Sequence, residues 1–437
     1  MKKQINQFCL YAIGFIILGC TKSVNGHQPI VTPKDSSLVN TSHLDYLYTP
    51  VIFSTGTRAA GVYIYAEAPD YHLVDATGEG FTCTDDVARA ALVYLRSPTF
   101  SSDTATQSKT FNLLRFILEM QSANGYFYNF LFTNGLINKA GATSIDNANW
   151  WSWRALQALT EAEPVIKNKD AQLYAKMVTA VDNLVTKIKT DLVGIAVTTK
   201  LVNGITVPEW LPAGSGTDQS AVLIIGLISY CSTNNDDVIK TYIKKLADGI
   251  VLMQEGDATH YPYACFLSWE NTWHAYGNLQ AYALMQTGIF LQDLQYTTKA
   301  MAEVDNFYPW LLQNGFKSSF AISKIGDAFQ TLTENNYDQI AYGIETMVFA
   351  TAEAYKETGQ DKYADMAGHL AAWFLGANDA GTNMYSPATG RCYDAISSAT
   401  NVNRNSGAES TIEALLTLQR VEIYPNVKLA LNKYKKQ

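Results

Sequence analysis

Phe81 to Leu95 reads FTCTDDVARAALVYL. Thr84 is placed to cap a helix, and Asp85 and Asp86 fall in its first turn, where unpaired backbone N–H groups and the positive end of the helix dipole favour anionic side chains. Beyond them Ala88, Ala90, Ala91, Leu92, Val93 and Leu95 leave Arg89 as the only charge. A helix apolar on most faces must be covered on most faces, so its polar start opens either onto other protein or into a cavity. The two carboxylates therefore have two readings: caps, with Asp85 also pairing to Arg89 one turn on, or groups offered to a cavity.

The same plan returns along the chain. Thr106 to Gln121 is amphipathic, with its charges on one side. Asp146 to Glu163, DNANWWSWRALQALTEAE, starts polar and turns apolar, and Asn168 to Asp191 carries Lys and Asp on one face. Thr217 to Tyr230 has no charge after Asp218, whereas Asp236 to Gln254 carries Asp237, Lys240, Lys244, Lys245 and Asp248. Trp269 to Leu291 is nearly uncharged after Glu270, and Leu294 to Leu312 is amphipathic. Asp338 to Tyr355 and Asp361 to Leu375 repeat the alternation, and Ser406 to Val421 comes last. An uncharged helix followed by a one-sided one, at a period of roughly fifty to seventy residues, is what two concentric rings require. Inner helices are covered on both sides and outer helices meet solvent on one. Six inner starts are expected, at Asp85 and Asp86, Asn147 and Trp150, Asp218, Glu270 and Asn271, Asp338, and Glu409.

This plan, over about residues 80 to 430, resembles the six-hairpin glycosidase superfamily. The resemblance implies an all-α (α/α)6 barrel over residues 81–437, with a substrate groove built from loops at the N-terminal ends of the inner helices. Residues 44–80, β-rich and aromatic, precede it as an edge hairpin or a long loop laid over one face. The phrases QSANGYFYNFL (121–131), WFLGAND (373–379), TGRCYDAI (389–396) and NSGAESTIEALLTL (405–418) are similar to segments of bacterial lipoprotein members of that superfamily and, more loosely, to inverting glycosidases. Hydrolysis of a glycoside follows from this by analogy of fold.

An inverting hydrolase needs a protonated carboxyl beside the leaving oxygen and a second carboxylate about 6.5 to 9.5 Å away to activate water. Asp85 or Asp86 is a candidate base, held ionised by its helix start. Glu270, between Trp269 and Trp273, has the apolar setting that raises a carboxyl into the acid's range, and Glu409 sits like a first-turn acid. Asp218 and Asn271 stand at other inner starts. Arg404 and Asn405 supply donors for sugar hydroxyls, and Trp150, with Tyr126 and Tyr128 in the loop before it, offers a stacking surface. Of Trp150, Trp151 and Trp153, adjacent ones cannot share a face, so at least one belongs to the core. His274 falls one helical turn after Glu270, as a binding or proton-donating group or as a satisfied core residue. Glu345 and Asp338 read as structural, and Glu209 as a weaker acid. A lyase would call for a Tyr or His base beside Arg or Lys, and a non-catalytic toroid would use the aromatics alone.

Composition bounds the rest. A formal charge of −8 with 16% charged residues lacks the basic stripe that nucleic acid requires. Twenty-six Tyr and eight Trp suit a surface that binds neutral ligands such as carbohydrate. Two lysines precede an apolar run, Cys9 to Leu18, too short for the ~20 residues of a membrane span. Its end, Ile17-Leu18-Gly19-Cys20, resembles a bacterial lipobox, which implies a signal peptide over 1–20, a lipidated Cys20, a membrane anchor and an outer-membrane destination. Residues 21–43 read as a tether. Cys83, Cys231, Cys265 and Cys392 lack metal-site spacing, and no cofactor is called for; a structural calcium in the loop from Ala377 to Asn383 has no recognised spacing behind it. If the ring closes, Cys83 and Cys392 lie on one rim, near enough for a disulfide.

Overall fold

A computed structural model describes residues 37–436. The short helix α1 (Ser42–Leu47) is followed by twelve that alternate between two rings. The inner ring is α2 (Thr84–Leu95), α4 (Trp150–Ile166), α6 (Thr217–Thr233), α8 (Gln280–Leu291), α10 (Ala341–Thr358) and α12 (Ala408–Ile423). The outer ring is α3 (Thr104–Glu119), α5 (Ala171–Ile188), α7 (Asp237–Leu252), α9 (Leu294–Asn314), α11 (Asp361–Ala371) and α13 (Pro425–Tyr434). Each inner helix packs on the next inner helix, and α12 returns to α2, so the ring closes.

The layers follow from side-chain chemistry. Every residue of α10 from Ala341 to Ala354 is buried, whereas α7 buries only the stripe Ile239, Tyr242, Ile243, Leu246, Ala247, Gly249 and Ile250. The outer helices α3, α5, α7 and α9 start on Asp103, Asp170, Asp236 and Asp293, whose carboxylates accept first-turn N–H groups. Inner α6, α8, α10 and α12 have no side-chain cap, so their first turns face the mouth of the ring with N–H groups uncommitted to a cap.

The N-terminal segment forms two hairpins. Tyr48–Ile52 pairs with Arg58–Val62 and packs on α3, and Tyr65–Glu67 pairs with His72–Val74. The chain is docked from Ser37 onward: Ser37 Oγ and the Leu38 N–H both donate to the Glu422 carboxylate at the end of α12. The signal peptide and Cys20 lie outside the described residues.

Five sequence expectations are corrected. The uncharged stretch from Trp269 does not start as a helix. Thr272–His274 is a strand on Ser319–Ile325, which pairs in turn with Ala328–Asn335, and α8 begins only at Gln280. Burial alternates there with period two, Trp273 inward and its neighbours outward, and Glu270 turns the chain with φ 49°. Residues 146–149 likewise precede α4, because Asn149 caps it, and exposed Asp338 precedes α10. Cys83 and Cys392 are separate free thiols: Cys83, not Thr84, caps α2 by accepting the Asp86 N–H, and the Cys392 thiol donates to the Tyr393 carbonyl.

Candidate active site

The first turns of α2, α4, α6, α10 and α12 converge at one end of the ring, and Arg89 stands at their centre. Its guanidinium is buried, and Nη2 donates to Asp85 Oδ2 at 2.8 Å, Asp86 Oδ1 at 2.7 Å and Glu409 Oε2 at 3.4 Å. Nη1 donates to Glu413. Arg154 from α4 approaches Asp85 Oδ1 at 3.7 Å and donates to the Tyr342 hydroxyl, and the Tyr342 ring lies under both guanidinium groups. Asp85 pairs with Arg89 one turn on, as the capping reading also expected, while the oxygens of Asp85 and Asp86 bond to Arg89 and not to the N–H groups of their own helix.

Two guanidinium groups cannot neutralise the carboxyls of Asp85, Asp86, Glu345, Glu409 and Glu413 together, so some hold their protons. Burial pushes Asp86 up to about 6 against the pull of Arg89. Burial, with the negative charge of Glu413 beside it, pushes Glu345 up to about 8. Glu409 keeps 46% of its side-chain surface open to the mouth. The surrounding helices still enclose it closely enough that, with Asp86 and Glu413 adding negative charge and Arg89 opposing, its carboxyl rises to about 7. Glu409 is therefore a half-open acid near neutrality, facing the mouth.

The proton on Glu345 has a consequence for stability. A free carboxyl loses its proton near the ordinary value of 4.5, whereas folded Glu345 keeps it to about 8, so between those values the native state binds more protons and stability falls as pH rises. Glu345→Gln should flatten part of that decline and gain about 2 kcal/mol over the parent at pH 9, read by urea unfolding between pH 5 and 9. An unchanged slope would rule out Glu345 as the group responsible.

Across the mouth, His274 and Asp218 form a second pair. His274 Nδ1 lies 2.6 Å from the Tyr276 carbonyl, which can only accept, and Nε2 lies 3.0 Å from Asp218 Oδ2. Both ring nitrogens of His274 thus face oxygen atoms, which fixes the orientation of the imidazole. The other Asp218 oxygen accepts the Gln219 N–H at 2.6 Å. Tyr276, half-exposed, stacks on His274 at 4.1 Å and leads by tilted contacts to Trp150 and Tyr342, giving an aromatic floor beside the acids. Gly277 (φ +70°) makes this floor possible: a Cβ there would stand 2.7 Å from Trp150 Cη2.

The structure thus brings together Asp85, Asp86, Glu409, Asp218, His274 and Trp150, and places other expected site residues elsewhere. Glu270 pairs with Lys200 at 2.7 Å on a surface hairpin, because its stretch is a turn and not a helix start. Asn271 is bonded into the sheet through the Ile322 carbonyl and N–H. Tyr126 is buried against Trp153 with its hydroxyl on Asp191. Asn405 ties down the Ala68 N–H, and exposed Arg404 lies over the Tyr393 ring. In the loop from Ala377 to Asn383, Asp379 accepts from Gln339 and Tyr337. Sequence reading missed Arg154, Tyr276, Tyr342 and Glu413. The available signal for Arg154 and Glu413 was a charge set in a mostly apolar stretch of an inner helix.

Solved structures superimpose on this arrangement. They include a cellobiose 2-epimerase from Bacillus thermoamylovorans (TM-score 0.60, 12% identity, covering 83% of this chain and 92% of that one). A cellobiose 2-epimerase from Spirochaeta thermophila gives a TM-score of 0.56 at 12% identity over 85% and 91% of the two chains. A GH76 α-mannanase from Bacteroides thetaiotaomicron gives 0.52 at 11% identity over 81% and 89%. These likenesses show the fold, an (α/α)6 toroid. Within this (α/α)6 toroid the cluster around Arg89 occupies the N-terminal mouth of the inner ring. The sequence itself matches no protein-family model and no curated protein.

Proposed function

We propose that the chain is a glycoside hydrolase that retains anomeric configuration, with Asp85 as nucleophile and Glu409 as acid and then base. The observation that carries this is spacing. Asp85 Oδ2 and Glu409 Oε2 touch the same nitrogen of Arg89 at 2.8 and 3.4 Å, so they can stand no further apart than those contacts laid end to end. For these nearest oxygens the bound favours the ~5–5.5 Å of a retaining pair over the ~6.5–9.5 Å that an inverting pair needs for its water.

In the first step the Asp85 carboxylate attacks the anomeric carbon while Glu409 gives its proton to the departing oxygen. In the second, Glu409 takes a proton from water, which displaces Asp85. Arg89 and Arg154 hold Asp85 in place, and Trp150 with Tyr276 stacks the sugar. The test is a screen of oligosaccharides followed by NMR of the first anomer released. Retention supports the reading; an inverted product sinks the Asp85 and Glu409 assignment.

A second reading, epimerisation of a sugar, is favoured by the 3.0 Å pairing of His274 with Asp218 and by the likeness to the two epimerases. The same screen separates it, since epimerisation gives a product of unchanged mass with no new reducing end. A lyase is disfavoured, because burial drives the Tyr342 hydroxyl far above its ordinary value and makes it a poor base.

We further propose attachment to the outer membrane through a lipid on Cys20, supported by the Leu18-Gly19-Cys20 junction. Cys20→Ser should move the folded protein from the membrane fraction to the soluble one; retention with membrane would remove the anchor.

A further inference from the structure

The six inner helices enclose two different environments. Their N-terminal halves are filled by the cluster around Arg89. Their C-terminal halves line a cavity of about 920 Å³ at the opposite end, to which every inner helix contributes. That volume is near the upper end of the ~300–1,000 Å³ of small-molecule sites. The glycosidase reading makes no use of it.

The walls say what would fill it. Ile225 and Ile228 from α6, Phe349 from α10 and Leu416 from α12 give an apolar lining. Both arginines at its edge are already matched: Arg96 holds Glu161 through contacts of 2.9 to 3.2 Å, and Arg420 donates to Glu353 at 2.6 Å while lying over Tyr282 and Phe349. An anionic ligand would find no free counter-ion in these pairs, so burying it here would be costly. Three residues of the wall each carry a polar atom that has no hydrogen-bond partner and is covered from the cavity in this conformation: Gln286 Nε2, Gln419 Oε1 and Arg420 Nε. A purely apolar occupant would leave them unpaired, at a cost of about 1–3 kcal/mol each. The Gln amides can turn toward an occupant about their broad terminal torsions.

We propose that this cavity is a second binding site, for an uncharged amphiphile. Its apolar body lies along Ile225, Ile228, Phe349 and Leu416, and its hydroxylated head meets Gln286, Gln419 and Arg420. The site lies at the end of the ring remote from Glu409, and its occupancy does not depend on the reaction proposed there.

The test is calorimetric titration of the full chain with n-octyl β-glucoside below its micelle concentration, with glucose and octanoate as head-only and charged-tail arms. Octyl glucoside should bind, with both fragments at least tenfold weaker. Ile228→Trp, which fills the cavity, should weaken octyl glucoside at least tenfold, and Trp150→Ala at the N-terminal mouth should leave it unchanged. If Ile228→Trp does not fold, Gln286→Leu gives the same readout with a several-fold loss. No binding, binding unaffected by the cavity substitutions, or binding abolished by Trp150→Ala overturns the proposal. The last result would place the glycoside at the N-terminal mouth and leave the glycosidase reading standing. Octanoate binding as tightly as octyl glucoside overturns the uncharged class.

Discussion

Glu409→Gln is expected to lower kcat by about a thousandfold, within the range that removal of a positioned acid produces. The carboxyl is raised to about 7 by enclosure and by Asp86 and Glu413 beside it, which lets it keep the proton the leaving oxygen needs to higher pH than a free carboxyl. Parent kcat/KM should accordingly fall as pH rises through about 7, approaching tenfold per unit above it, and the variant should lose that limb. The substitution keeps volume and hydrogen bonding, so a loss confined to turnover identifies proton transfer and not folding. An aryl glycoside with a good leaving group needs little help from the acid. In the variant it should therefore glycosylate Asp85 at near-parental rate and stall, and added azide should release a glycosyl azide of retained configuration. A Glu409→Gln protein with parental kcat and an unchanged pH profile would end the assignment.

Arg89→Leu should cost about 3–5 kcal/mol of stability at pH 8, the loss typical of removing one side of a buried ionic network. Asp85, Asp86, Glu409 and Glu413 all share this guanidinium, and Glu413 is as buried as Arg89 itself. Without it each carboxylate is left in apolar surroundings, which raises its folded pKa above the free-chain value. The folded variant then binds more protons than the unfolded chain, so its stability should rise as pH falls, and the deficit should shrink toward pH 5. Urea unfolding of parent and variant at pH 5 and pH 8 decides it. A deficit of equal size at both values, or one below about 1 kcal/mol, would mean that Arg89 is not what allows these carboxyls to be buried. Because Arg89 also fixes Asp85, any folded fraction should turn over poorly even at pH 5, a loss that stability alone would not predict.

The alternation of uncharged and one-sided helices was readable along the chain because burial periodicity is local: a residue's place on its own helix decides whether it meets solvent. The Asp caps at Asp103, Asp170, Asp236 and Asp293 belong to the same local level, since a cap touches only the next turn. Local reading failed where two periods compete. The stretch around Trp273 is as apolar as a buried helix, but its strand form depends on pairing with Ser319–Ile325, some fifty residues on, and that pairing carried Glu270 away to Lys200. Asp85, Asp86 and Glu409 could each be picked out by their first-turn positions. That Asp85 and Glu409 share one nitrogen of Arg89 could not, since 320 residues separate Arg89 from Glu409 and only closure of α12 onto α2 brings them together. The same closure determines protonation: a carboxyl's pKa depends on burial and on charges contributed by other helices, so the acid at Glu409 belongs to the ring and not to its segment.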